Sequence, residues 1–210
     1  MMRKMFFAAL GMLIATSCMT AQELRSLPQP KTDEVKMTLM DALRQRSSVR
    51  EFDANRTVDD QTLANVLWAA CGISRPESGK ITAASAMNAQ DIQVYVCTAQ
   101  GAWLWLPKEN ALQKVCDKDL RSAIAARQES VASAPVSLVL VSDQSKFRGP
   151  APGDSFGCMD VGYVSQNIYL ACTALGLKTV ARAMMFKDVL IEGLKLNEKQ
   201  LLMLNHPIGY

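Results

Sequence analysis

The sequence predicts an α+β fold, a mixed or antiparallel sheet sandwiched by helices. Three observations carry this. Helical and strand-like segments alternate along most of the chain. The connections between strand-like segments range from a tight hairpin to long crossings, so one repeated βαβ unit does not describe them. Residues 136–143, VSLVLVSD, form a continuous apolar run, the pattern of a strand buried on both faces. The 210 residues suffice for one domain with a real core.

The first 21 residues read as a signal peptide. Arg3 and Lys4 form a short positive region, Met5 to Ile14 is nearly all apolar, and small residues follow. The apolar run is shorter than the ~20 residues of a spanning helix. Cleavage after Ala21 is expected; a lipoprotein attached at Cys18 and an uncleaved buried helix are the alternatives. Such a leader places the protein in the periplasm or cell envelope. Residues 22–36, polar with two prolines, read as a linker, and residues 37–210 as the domain.

Within the domain, Met37, Met40 and Leu43 predict a helix over 37–46. Leu63, Val66, Leu67 and Ala70 predict a second over 58–70, stopped by Gly72. Residues 73–90 make a long polar loop, a kind that is commonly functional. Strands are expected at 92–98 and 102–107, around Gln100-Gly101, followed by a helix over 117–131. Pro135 opens the buried strand, and residues 144–157, rich in Gly, Pro, Ser and Asp, read as a loop. Val161, Val164, Ile168, Cys172 and Leu175 line one face of the longest helix, 158–175, which Gly176 ends. A strand at 178–185, a helix at 186–194 and a last strand at 201–210 complete the order.

Composition excludes some classes of function. The net charge is +3, with 23 basic and 20 acidic residues, which is not the dense basic face that nucleic acid needs. Six cysteines are present without any CxxC, and His206 is the only histidine, so no zinc site or other metal site is expected. Cys71, Cys97 and Cys172 lie in apolar stretches and read as small core residues.

The chemistry concentrates in Arg44 to Asp53, RQRSSVREFD. Arg44 and Arg46 fall at the negative end of the first helix dipole, which accounts for Arg44 as a cap. Ser47, Ser48 and Arg50 lie beyond it. A phosphate would be saturated by guanidinium forks, hydroxyls and turn amides together; a solvated basic turn is the alternative.

RSSVREFD after an amphipathic helix resembles the opening motif of the FMN-dependent nitroreductase family, and four further segments follow in family order. Residues 58–96 resemble its second helix, loop and first strand, with SAMNAQ (85–90) similar to the Ser-x-x-Asn-x-Gln element facing the flavin ring. ASAPVSLVLV, MDVGYVSQNIYLACTALGL and the terminal HPIGY complete the resemblance, which covers residues 37–210. The loop wording leans toward the branch of the peptide-azoline oxidases. The resemblance implies that Arg46, Ser47, Ser48 and Arg50 hold the FMN phosphate. It puts Asn88, with Gln90 nearby, on the pyrimidine side of the ring, and backbone groups of Ala183 and Met184 on the other. It implies a homodimer. Asp160 and Asn167 read as helix-packing or dimer contacts, and His206 as structural. Ala84 and Met184 stand where the family often has proline and glycine, and nothing basic follows Tyr210, so weaker FMN binding is expected.

The implied activity is that of an FMN-dependent oxidoreductase, with ping-pong electron transfer to nitroaromatic, quinone or similar small-molecule acceptors. No catalytic side chain is required, because the flavin carries the chemistry. NAD(P)H is the implied donor. Export removes the chain from NAD(P)H, so three readings stay open: a membrane electron donor, substrate oxidation as in azoline oxidases, or a conventional NAD(P)H reductase whose leader is not an efficient signal. A non-catalytic flavin or small-molecule binding protein on a degenerate nitroreductase fold is the alternative.

Overall fold

The computed structural model describes residues 23–149 and 154–210. The leader, with Cys18 and Ala21, lies outside the described residues. The elements run β1 (Leu24–Ser26), α1 (Leu39–Gln45), α2 (Asp60–Cys71), β2 (Ile73–Arg75), β3 (Lys80–Ile81), β4 (Ile92–Thr98), β5 (Gly101–Leu106), β6 (Ala111–Cys116), α3 (Arg121–Ala125), α4 (Glu129–Ala132), β7 (Val136–Asp143), α5 (Asp154–Ala174), β8 (Lys178–Thr179), α6 (Lys187–Gly193) and β9 (Gln200–Gly209).

Seven strands form one sheet in the order β1-β6-β5-β4-β7-β9-β8, every neighbouring pair antiparallel. Its two faces are sorted by strand alternation. Val94, Val96, Leu138 and Leu140 pack with α2 and α5 on one side. Tyr95, Cys97, Val139 and Val141 pack with α3 and α6 on the other. β7 is buried along its whole length, as its apolar run predicts.

Helix boundaries follow capping. Thr38 accepts Asp41 N–H at 3.1 Å to open α1. Asp59 accepts Thr62 N–H at 2.7 Å, which starts α2 at Asp60 rather than Val58. Val161, Val164, Ile168 and Cys172 form the buried stripe of α5. Its stop is Gly176, whose φ of +69° favours glycine.

Several segments differ from expectation, each for a physical reason. The helix expected over 117–131 is two short ones. Ile124 and Ala125 carbonyls accept from the Arg182 guanidinium at 2.8 Å each, which takes the acceptors a continuing helix needs, and Ala126 turns to φ +52°. The strand expected at 178–185 is a ladder only at Lys178–Thr179, with one isolated bridge from Arg182 to Asn205, because Ala181 N–H between them leaves the sheet and donates to Tyr169 Oη at 2.8 Å. β6, with no expectation behind it, continues the β4–β5 meander. Residues 24–26, in the stretch read as a linker, add β1 to its edge. The loop 73–90 contains the β2–β3 ribbon and one 3-10 turn over Ala86–Asn88. No helix among the described residues is long and apolar enough to cross a membrane.

Candidate functional site

Arg46 is the C-cap of α1, and its backbone (φ −53°, ψ 125°) turns the chain out of the helix. Val49 N–H then donates to Thr179 O at 3.0 Å, which ties the turn to β8. Tyr169 of α5 is the anchor beneath it. Its hydroxyl lies 2.8 Å from Ser48 Oγ, and the Arg46 guanidinium carbon stands 5.1 Å from its ring centre. Ala181 N–H donates to the same phenol oxygen at 2.8 Å. Either hydroxyl of the Ser48–Tyr169 pair can donate to the other; with Tyr169 as donor, the Ser48 proton is free for an outside acceptor.

The guanidinium groups of Arg46 and Arg50 and the Ser47 hydroxyl have no ion-pair or hydrogen-bond partner among the described residues. Arg50 is exposed yet near enough to buried Arg182 to add to the lowering of its pKa that burial begins. Other arginines are engaged: Arg25 with Asp60, Arg44 with Asp41, Arg121 with Asp119. Arg44 thus turns back along its helix instead of capping its end. For the same reason the 520 Å³ cavity that Arg25 and Arg121 line is a poorer anion site than the open turn.

The second segment is the loop 85–90. Met87, Asn88 and Gln90 have φ of +56°, +53° and +50°. The left-handed region costs a non-glycine residue about 1–3 kcal/mol, so the surroundings must hold the loop. Asp160 of α5, 1% exposed, does so. Ser85 Oγ–H donates to its Oδ2 at 2.9 Å, and Ala86 N–H donates to Oδ1 and Oδ2 at 2.9 and 2.8 Å. Gln90 N–H donates to Ser85 Oγ at 2.8 Å, and Gln90 Nε2 to Gly79 O at 3.1 Å. Gln90 is therefore committed to the loop itself through its amide nitrogen. Asn88 is exposed, and its side-chain amide is free among the described residues.

The third segment is 181–184. Arg182 and Asn205 exchange backbone hydrogen bonds of 2.9 and 2.7 Å. Asn205 Nδ2 donates to the Arg182 and Met184 carbonyls at 3.1 Å each. Ala183 and Met184 are both exposed, and the Ala183 backbone N–H and C=O are free among the described residues.

His206 is fully buried. Thr179 Oγ1 already donates to Pro207 O at 2.9 Å, so His206 Nδ1–H donates to Thr179 at 3.1 Å, and Ser165 donates to Nε2 at 2.8 Å. Burial pushes its pKa down to about 3. It is a neutral structural group set edge-on to Tyr169, with 5.2 Å between ring centres. Cys71, Cys97 and Cys172 are free thiols in the core, and burial pushes Cys71 up to about 12. Cys116 and the exposed Cys158 are free as well.

α5 is the common scaffold. Asp160 holds the loop and Tyr169 holds the arginine turn, nine residues and about 13 Å of helix axis apart. The structure thus joins Arg46, Ser48 and the 181–184 segment through Tyr169, and holds Asn88 and Gln90 through Asp160. Sequence reasoning missed Tyr169, placed Ser85 in the ring-facing motif without a role of its own, and read Asp160 as a helix-packing or dimer contact. The available signal was a carboxylate and a phenol in register with an apolar helix stripe.

Such an arrangement suits an elongated ligand with an anionic head. The chain matches the nitroreductase family over residues 43–210. An assigned nitroreductase of Methanocaldococcus jannaschii is 30% identical over 191 residues, 86% of this chain and 93% of that protein. A crystal structure of an assigned nitroreductase from Ralstonia eutropha shares 32% identity with a TM-score of 0.82, covering 90% of each chain. The chain belongs to the nitroreductase family. It shares its fold with a Desulfovibrio desulfuricans nitroreductase-type protein in complex with FMN, at 20% identity and TM-score 0.60 over 83% of this chain and 86% of that one. It also shares it with a chain of the Escherichia coli microcin synthetase complex, at 17% identity and TM-score 0.69 over 99% and 84%.

Proposed function

We propose that this chain is an FMN-dependent oxidoreductase that works as a homodimer. Arg46, Ser47, Ser48 and Arg50 take the phosphate, and Asn88 and the free backbone of Ala183 take the ring. One observation carries this above the others: two guanidinium groups without an ion-pair or hydrogen-bond partner among the described residues stand on a turn that the Tyr169 phenol anchors through Ser48. The spacing from Tyr169 to Asp160 suits one extended cofactor. Bound FMN supplies two-electron redox chemistry. The protein's share is to bind, orient and exclude water. Buried, neutral His206 is not placed to move a proton for a substrate.

Donor and acceptor use one open face in turn, with NAD(P)H as donor and nitroaromatics or quinones as acceptors. The second subunit is another copy of this chain. α5 has a second apolar side, with Met159 48% and Tyr163 49% exposed, and α1 exposes Leu39, Met40 and Leu43. Between Met159 and Tyr163 lies Gly162, with open space where a side chain would stand, so another helix can approach closely. Export to the envelope would take the chain away from NAD(P)H and call for a membrane electron donor in its place; cell fractionation decides between the two.

The direct experiment is a visible spectrum of the purified protein with FMN, before and after NADPH. Flavin bands that bleach support the reductase. Retained bands favour another donor or a non-catalytic flavin carrier. Failure to take up FMN overturns the assignment.

A further inference from the structure

The loop that carries Asn88 rests on two buried carboxyl groups. Asp160 accepts from Ser85 and Ala86. Behind it lies Asp91, 0% exposed, within hydrogen-bonding reach of Asp160. Ser142 Oγ donates to Asp91 Oδ2, and Gln144 Nε2 donates to that serine at 2.7 Å. Asp91 Oδ1 is buried with no N–H or O–H donor beside it. A bare anionic oxygen is costly there. A proton on Asp91, donated to Asp160, satisfies that oxygen and removes the like-charge contact.

The surroundings offer no cation instead. Neither carboxyl pairs with a lysine or arginine among the described residues. On β7, Asp143 turns to Ser145 and Gln93. On α5, Cys158 is exposed. Gly157 of α5 sits so close to Ser142 that a Cβ would lie 2.5 Å from its hydroxyl oxygen, so the helix cannot approach further with a side chain there. Burial first, then the Asp160 contact, push Asp91 up to about 6 against the opposing Ser142 bond.

We infer that Asp160 is the positioning residue of the ring-facing loop, and that a proton shared between Asp91 and Asp160 locks the loop in its left-handed shape. This rests on the flavin assignment for its functional meaning. With the proton present, Asn88 is presented to the ring. When Asp91 releases it to solvent, two carboxylates confront each other beneath the loop, which loosens and binds the ring less tightly.

The test measures FMN dissociation constants by flavin fluorescence from pH 5 to 8, for wild type, Asp91→Asn and Asp160→Asn. FMN's phosphate itself titrates near pH 6, so the wild-type to Asp91→Asn ratio at each pH is the quantity read. The amide that Asp91→Asn introduces is neutral and able to donate at every pH. The ratio should rise on the order of tenfold across the range, the equivalent of about one pKa unit of coupling. A constant ratio overturns the lock. Asp160→Asn should bind FMN at least tenfold more weakly throughout and lose hydrogen-exchange protection at Ala86 N–H, with β7 protection retained. Retained protection at Ala86 overturns the positioning role. If wild type binds no FMN, the functional assignment fails alone; Ala86 exchange in the three proteins, compared at each pH, still decides the positioning role and the lock.

Discussion

The two ends of the proposed cofactor site are built by opposite means. The arginine turn is exposed, and its guanidinium groups carry charge that nothing in the described chain neutralises. The ring-facing loop, 85–90, carries no charge of its own, and buried carboxyls hold it in a strained shape. One end supplies attraction with little dependence on packing. The other supplies shape and depends on a core that was organised first. α5 serves both, through Tyr169 and Asp160.

The largest effect expected of this contrast is on affinity alone. Replacing Arg46 and Arg50 together by alanine removes two charge-assisted contacts, worth ~1.5–3 kcal/mol each. FMN affinity should fall on the order of 100-fold or more. Stability should stay within about 0.5 kcal/mol, since neither side chain has a partner to lose except the Tyr169 ring under Arg46. Fluorescence titration and thermal melting together check this. A large loss of stability would make the turn structural and break the contrast.

Tyr169→Phe should act on both properties, more mildly. It leaves Ala181 N–H without its acceptor and Ser48 without its side-chain partner. An unsatisfied partly buried donor costs ~1–3 kcal/mol, which lowers Tm by about 2–4 °C per kcal/mol in a chain of this size. FMN affinity should drop several-fold, because the turn that carries Ser48 is no longer anchored to α5 through the phenol. An unchanged Tm would remove the anchor from the account.

The elements that periodicity announced are mostly those whose burial is one-sided or complete: α2, the stripe of α5 and the run of β7; α1 was announced as well, although Met40 and Leu43 of its stripe are exposed. β1 and β6 lie at the sheet edge, where Ala111–Cys116 alternates weakly and carries Gln113 and Lys114, so no apolar rhythm marked them. The break between α3 and α4 was illegible for another reason: it is imposed by Arg182, about 60 residues away in sequence, through the Ile124 and Ala125 carbonyls. The site divides the same way. Charge is local, and Arg46, Ser48 and Arg50 stood out in one decapeptide. Shape is not local, since Ser85 and Ala86 meet Asp160 across more than 70 positions. The one trace it left was a carboxylate four residues before Val164 on the buried stripe.

The smallest effect is a difference in slope, and it isolates the buried end. Burial pushes His206 down to about 3, below the ~6.5 of a free imidazole. The unfolded chain therefore takes up that proton first, and the contribution of His206, complete above about pH 6.5, is lost as pH falls toward 3. Asp91 runs the other way. Pushed up to about 6 by burial and Asp160, it holds a proton that the unfolded chain has released. Its contribution is complete below about pH 4 and is lost as pH rises through 6. Between pH 4 and 6 the two oppose, each worth roughly 1.4 kcal/mol per pH unit. In wild type they nearly cancel. Asp91→Asn leaves the histidine unopposed, so urea-unfolding free energies of that variant should fall more steeply on acidification from pH 6 to 4, by about one proton's worth. Equal slopes would mean that Asp91 carries no proton in the fold, and the ring-facing loop would then rest on two charges, as open to solvent titration as the arginine turn.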